Sequence, residues 1–233
     1  MIDMHTHILP GIDDGARDVE ESLELIRMAM AEGITAIVLT PHFYPERNDF
    51  ATFIQKRNDA YALLKNALAE AGIEIRLYLA SEVRFSPSLL DLAVEQLAIE
   101  DTGYILIEFS NSQYPAYVQE VFYALEDRGL TPIVAHVERY HHGTAFLEKL
   151  ADLGALLQVN TAAMAGDRKQ RKKVLELIDR DLVHLWGTDM HSIDRRPPIV
   201  KEALYLLSRK VGKSFFAQCD AGAKEILGIE EGR

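Results

Sequence analysis

Apolar positions along the chain follow two spacings. Long stretches carry apolar residues three and four apart, the spacing of one helix face. Between them lie short runs rich in Val, Ile and Leu, bounded by Gly or Pro, as expected of strands buried on both faces. The first run is Met1-Ile-Asp-Met4. Helical spacing follows over 19–32 and stops at Gly33, a residue suited to a left-handed cap. A strand over 35–40 runs into Pro41-His42, and a helix over 50–71 closes at Gly72. A strand is predicted over 75–83, a helix over 88–98 and a strand over 104–109. Next come a helix over 114–127 ending before Gly129, a strand over 131–136, and a helix over 144–153 ending at Gly154. The pattern then gives a strand over 156–161, a basic helix over 168–180, a strand over 182–189, and helices over 198–211 and 215–227. Seven strand-then-helix units with no linker between them predict one parallel α/β barrel spanning 1–233. An open doubly wound sheet would need Gly-rich nucleotide loops, which the sequence lacks.

Composition narrows the function. With 233 residues and 48 % hydrophobic content, the chain is long enough for one large core. A formal net charge of −11 disfavours nucleic-acid or anionic-membrane partners, and it obliges an anionic substrate to find local cations, from metal or arginine. No apolar run reaches transmembrane length, and the first residues lack the basic and apolar segments of a signal peptide. One cysteine, Cys219, excludes a disulfide framework, so the expectation is a cytoplasmic protein.

Candidate chemistry is concentrated where strands end. In Asp3-Met-His5-Thr-His7, period-two alternation sends the Asp and both imidazoles to one side. A strand and loop that are merely rich in His and Asp would look the same. The following Asp13-Asp14-Gly15 turn can return a carboxylate over that spot, and sequence physics does not separate the two neighbours. His42, Glu82, Glu108, His136, Asp189 and His191 also fall at the C-terminal ends of predicted strands, the end at which parallel barrels place their active sites. Nine such candidates exceed the six or so ligands of one ion, so more than one ion is implied. Oxygen and imidazole donors without thiolate favour Mn, Fe or Zn in a catalytic site, and clustered divalent ions suit phosphoester hydrolysis. His184 reads as structural, and His141 and His142 as loop residues or supports of the site. Phe43, Tyr44 and Tyr140 suit either an aromatic substrate ring or rim core. The basic run Arg168–Lys173 reads as a solvated helix face, with docking of an acidic partner as the alternative. Cys219 has Glu225 rather than arginine six residues on, which excludes thiol phosphatase chemistry. Gly212-Lys213-Ser214 lacks the first glycine of a phosphate loop.

H-x-H at the start, T-P-H42, the strand-end glutamates, A-H136-x-E-R139-Y and T-D189-x-H191 together resemble the PHP (polymerase and histidinol phosphatase) superfamily. H-I-L-P-G-I-D-D-G-A and H-x-x-x-x-R196-P-P are similar, within it, to the bacterial manganese-dependent tyrosine-protein phosphatases of capsule and exopolysaccharide loci. The resemblance covers Met1 to about Leu207. It implies a distorted (β/α)7 TIM-like barrel of PHP type with three Mn2+ ions, Fe or Zn being possible. His5, His7, Glu82 and Asp189 would hold one ion. Glu82 would bridge to a second, bound also by Glu108 and His136, and Asp14, His42 and His191 would hold the third. Arg139 and Arg196 match arginines beside the site, and a guanidinium suits bidentate phosphate recognition. Val137 stands where the family has proline, a change expected to relax the turn presenting Arg139. The implied reaction is in-line attack of a metal-bridging hydroxide on phosphotyrosine. The implied substrate is the tail of a bacterial tyrosine kinase of exopolysaccharide or capsule synthesis. Another phosphoesterase of the superfamily, acting on histidinol phosphate or a nucleic-acid 3′ end, is the nearest alternative. A non-catalytic phosphopeptide-binding module is the second.

Overall fold

The computed structural model describes residues 1–110 and 116–229. Among them the chain runs β1 (Ile2–Thr6), α1 (Val19–Ala31), β2 (Ala36–Leu39), β3 (His42–Phe43), α2 (Phe50–Glu70), β4 (Arg76–Leu79) and β5 (Glu82–Arg84). Then follow β6 (Tyr104–Glu108), α3 (Val118–Glu126), β7 (Thr131–Val134), α4 (Thr144–Asp152) and β8 (Leu156–Asn160). The short α5 (Thr161–Ala165), α6 (Arg168–Ile178), β9 (Leu185–Gly187) and α7 (Lys201–Ile226) complete the order. Among the described residues no helix is long and apolar enough to cross a membrane.

All strand pairs are parallel, in the orders β1-β2-β4 and β3-β5-β6-β7-β8-β9. The two sheets form one curled wall, because β2 continues into β3 across Thr40-Pro41 and β4 into β5 across Ala80-Ser81. Hydrogen bonds bridge that break, from Ala80 N to Leu39 O at 2.9 Å and from Glu82 N to Pro41 O at 3.0 Å. The wall closes on itself where Thr6 bridges Met190, with His7 N donating to Met190 O at 2.9 Å and Asp189 N to His5 O at 2.8 Å. The result is the parallel barrel that the strand-helix alternation predicts, in the distorted (β/α)7 form that the resemblance implies.

Alternation along the strands sorts the core. Ile2, Met4, Ala36, Val38, Leu106, Ile133 and Leu185 form an inner apolar layer that Ile226, at the end of α7, and the next residue, Leu227, join. Ile37, Leu39, Ile105, Ile107, Val134, Leu157 and Val159 point outward into the layer shared with the helices. Strands buried on both faces need no polar alternation, which is why their sequence reads as continuous apolar runs.

Three predicted boundaries change. The helix expected over 88–98 is instead two 3-10 turns, Pro87–Asp91 and Val94–Leu97. The Arg128 guanidinium takes the carbonyls of Leu90 at 3.3 Å and Leu92 at 2.8 Å, which a continuous helix would use internally. The two C-terminal helices join as α7, which breaks at Gly212, whose φ of 77° only glycine adopts without strain. The strand expected over 182–189 is paired only at Leu185–Gly187, and the expected start of a helix at 114 lies outside the described residues.

Candidate metal centre

Loop 8–16 folds back over β1, with Ala16 N donating to His7 O at 2.9 Å and Gly11 N to Ala16 O at 2.8 Å. The fold-back requires Gly15, since a Cβ there would run into the carbonyl and Cβ of His7. β1 shifts register against β2 between Asp3 and Thr6, and such an irregularity re-aims side chains. Ile2 and Met4 therefore sit in the inner layer while His5 also faces inward, toward Gln158 and Glu82. Strict alternation had placed Asp3 beside the imidazoles. Its carboxylate instead accepts from Thr188 N at 2.8 Å and Thr188 Oγ1 at 2.5 Å, stitching β1 to the end of β9.

All nine candidate ligands converge at the C-terminal mouth of the barrel. The Nε2 atoms of His5 and His7 lie 3.0 Å apart, each 3.2 Å from Glu82 Oε2 and 3.5 and 3.4 Å from Asp189 Oδ1. His136 Nε2 lies 2.8 Å from Glu82 Oε1 and 3.7 Å from Glu108 Oε2. His42 Nδ1 is 3.0 Å from Glu82 Oε2, and Asp14 Oδ1 is 3.6 Å from both His42 Nε2 and His191 Nε2. Three overlapping groups have donor atoms within 4.8 Å of one another: His5, His7 and Asp189; His42, Glu82 and Glu108; and His7, Asp14, His42 and His191. They differ from the partition implied by the resemblance in sharing His7 and His42 between groups, and His136 joins through Glu82.

The chemistry of this donor set fits divalent cations. Glu82 Oε2, Glu108 Oε1, His42 Nδ1 and His136 Nδ1 are buried without a partner in hydrogen-bonding geometry, a costly state for polar atoms. Burial and the neighbouring Glu82 carboxylate push Glu108 up. Burial opposes ionisation of Asp189 too, but His5, His7 and Arg139 hold it well below the usual carboxylate range. His136 (φ 36°) and Asp189 (φ 55°) both adopt left-handed backbone, conformations that non-glycine residues hold at a cost and that cluster at functional sites.

Asp13 and Asp14 separate cleanly. Asp13 turns inward, its Oδ2 2.7 Å from His7 Nδ1 and 2.9 Å from His42 N, and its Oδ1 accepts from Gly15 N. Asp14 points over the mouth with its side chain 71 % exposed and faces the imidazoles of His42 and His191.

The two arginines share one acceptor. Asp189 Oδ2 receives Arg139 Nη2 at 2.6 Å and Arg196 Nη2, and also Asn160 Nδ2 at 2.7 Å. Arg196 Nη1 donates further to His191 Nε2 at 2.8 Å. Asp189 thus offers one oxygen to the imidazoles and the other to the guanidinia. Val137 does not loosen the turn before Arg139: it is buried, the 3-10 turn Val137–Arg139 is formed, and Arg139 N donates to His136 O at 2.9 Å.

The family profile described as capsular polysaccharide synthesis, CpsB/CapC, matches residues 1–225. The chain belongs to this family. It is 34 % identical to the tyrosine-protein phosphatase YwqE of Bacillus subtilis, over 97 % of this chain and 91 % of the relative. It is 33 % identical to a putative tyrosine-protein phosphatase, CapC, of Staphylococcus aureus, over 96 % and 89 %. A crystal structure from work on YwqE and Streptococcus pneumoniae CpsB, described as metal-dependent tyrosine phosphatases, superposes with a TM-score of 0.89 at 29 % identity, covering 99 % of this chain and 96 % of that one. A histidinol phosphate phosphatase from Lactococcus lactis shares the fold, with a TM-score of 0.56 at 17 % identity over 89 % and 92 %.

Within this family site, several supports are invisible to motif reading. Gln158 Oε1 accepts from His5 Nδ1 at 3.2 Å and from His136 N at 2.9 Å, while Asn160 holds Asp189. The only signal was a Gln-x-Asn pair in an otherwise apolar strand. Of the other candidates, Tyr140 packs its ring 5.8 Å from that of His136. Phe43 is core, packed on Phe50 and Phe53, and Tyr140 is buried with its hydroxyl accepting from Phe109 N at 3.0 Å. Tyr44 alone of the three remains at the mouth, its ring 5.3 Å from that of His42. His184 serves structure, accepting from Leu157 N at 3.0 Å, and His142 turns to Ser110 O. In the basic run, Lys173 ties to Tyr140 O at 2.8 Å and Arg171 to Gly166 O.

Proposed function

We propose that this chain is a metal-dependent phosphatase of phosphotyrosine in protein. His5, His7, Glu82 and Asp189 hold one ion, Glu82, Glu108 and His136 a second, and Asp14, His42 and His191 a third. Manganese is the preferred metal, and the physiological substrate is the tail of a bacterial tyrosine kinase of capsule or exopolysaccharide synthesis. The observation that carries the reading is the pair of guanidinia held on Asp189 at the edge of a buried His/Asp/Glu cluster. Family membership adds relatives named as tyrosine-protein phosphatases.

Bound divalent ions would polarise the phosphoryl oxygens and acidify water at neutral pH. The chain's own residues do the rest. Nδ1 of His5 is tied to Gln158 and Nδ1 of His7 to Asp13, which fixes both tautomers and turns each Nε2 inward. Asp189 Oδ2 keeps Arg139 and Arg196 beside the donors, where their N–H groups can take phosphate oxygens as charge develops. Were His191 to hold an ion, Arg196 Nη1, now on its imidazole at 2.8 Å, would be free for the same task.

The test compares turnover of a phosphotyrosine peptide, histidinol phosphate and single-stranded DNA by purified protein of known metal content, with and without chelator. The expected result is fastest hydrolysis of the peptide, abolished by chelator and restored by Mn2+. Slowest hydrolysis of the peptide, or peptide binding with no turnover in any metal, overturns the reading.

A further inference from the structure

Tyr44, at the mouth of the site, carries two guanidinia. The Cζ of Arg84 lies 5.4 Å and that of Arg47 5.5 Å from its ring centroid, both within cation–π range. Arg84 ends β5 and is anchored by Glu108 Oε1 at 3.0 Å. Arg47 is exposed, and among the described residues no carboxylate lies within ion-pair distance of it. The turn that presents them is tight: Arg47 N and Asn48 N both donate to Tyr44 O at 2.9 Å, and Tyr44 N donates to Asn48 Oδ1 at 2.8 Å. Glu46, in the same turn, leans 3.5 Å from Ser88 Oγ instead of pairing with Arg47.

Arg84 is already paired with Glu108, so in a chain of net charge −11 the guanidinium of Arg47, held on the same ring at the mouth of the donor cluster, is explained by an anion that arrives with the substrate. Arg139 and Arg196 already share Asp189, whereas Arg84 is held on a different carboxylate, Glu108. The anion at Tyr44 is therefore a second one. We propose that Tyr44, Arg84 and Arg47 form a subsite for an acidic side chain adjacent to phosphotyrosine, making the site selective for acidic substrate segments. The inference rests on the phosphotyrosine reading above.

The experiment uses two phosphotyrosine peptides that differ only in Glu and Asp against Gln and Asn beside the phosphotyrosine. Both kcat/KM and equilibrium binding by fluorescence anisotropy are measured on the metal-loaded protein. The expected preference for the acidic peptide is about tenfold, carried by KM and shrinking as salt screens it. Arg47→Ala and Arg84→Ala each reduce the ratio about threefold, and the double variant brings it close to one. The metal content of Arg84→Ala is read alongside. If that variant loses metal, Arg47→Ala alone decides, and an unchanged ratio in it overturns the subsite. A ratio near one in the parent, or one retained in the double variant, also overturns it. Failure to hydrolyse either peptide counts against the phosphatase reading instead, and the binding ratio still tests the subsite.

Discussion

Asp13 Oδ2 lies 2.7 Å from His7 Nδ1, so a residue adjacent to one candidate ligand orients the imidazole of another. Burial opposes protonation of His7, yet the Asp13 and Glu82 carboxylates hold its pKa well above the ordinary value. Partners of this kind fix ring orientation and raise donor strength, and losing them costs about 10–100-fold in metal affinity. Asp13→Ala is expected to weaken Mn2+ binding by that factor in a calorimetric titration, with the circular dichroism spectrum unchanged. Unaltered affinity would show that Asp13 only shapes the loop.

Arg139 and Arg196 converge on one carboxylate oxygen, so each helps to hold the other's position. Lysine keeps the charge but loses the planar fork. Arg139→Lys and Arg196→Lys should each lower kcat/KM for a phosphotyrosine peptide by about 10²-fold or more, as for loss of a transition-state donor. Metal content should remain that of the parent. Parental kinetics in both variants would remove the guanidinia from the reaction.

Gly187 lets β9 pass against β1: a Cβ there would stand 2.5 Å from His5 Cβ and 3.0 Å from His5 N. Neither backbone can move without shifting the barrel seam. Gly187→Ala should destabilise by about 1–3 kcal/mol, as overpacked cores do, and should lower metal content with it. Thermal melting and elemental analysis check this, and a parental melting temperature would refute it.

Cys219 is buried in α7, where loss of hydration and then Asp220 push its thiol up to about 12. Thiolate is the reactive form, and it becomes the major form only as pH passes that value. At pH near 8 the native protein should resist aromatic disulfide reagents and should react fully once urea unfolds it. Rapid labelling of folded protein, with loss of activity, would contradict the assignment of Cys219 to the core.

The order of strands and helices, and the gathering of His, Asp and Glu at strand ends, follow from sequence alone because both depend on local periodicity. Parallel strands buried on two faces write themselves as apolar runs, so His5, Glu82, Glu108 and Asp189 stand out where those runs stop. The 3-10 turns over 87–97 were not readable, because Arg128, more than thirty residues away, takes the carbonyls a helix would need. Nor was the fate of Asp3, which a register shift in β1 leaves bonded to Thr188, or the different partners of Asp13 and Asp14, which follow from the path of the 8–16 loop. Gln158 and Asn160 carry no motif, and their roles exist only once β8 lies beside β7 and β9. Local pattern determines which residues are available to the site. Hydrogen bonds between residues distant in sequence, made only when the barrel closes at Thr6 and Met190, decide which of them face one another.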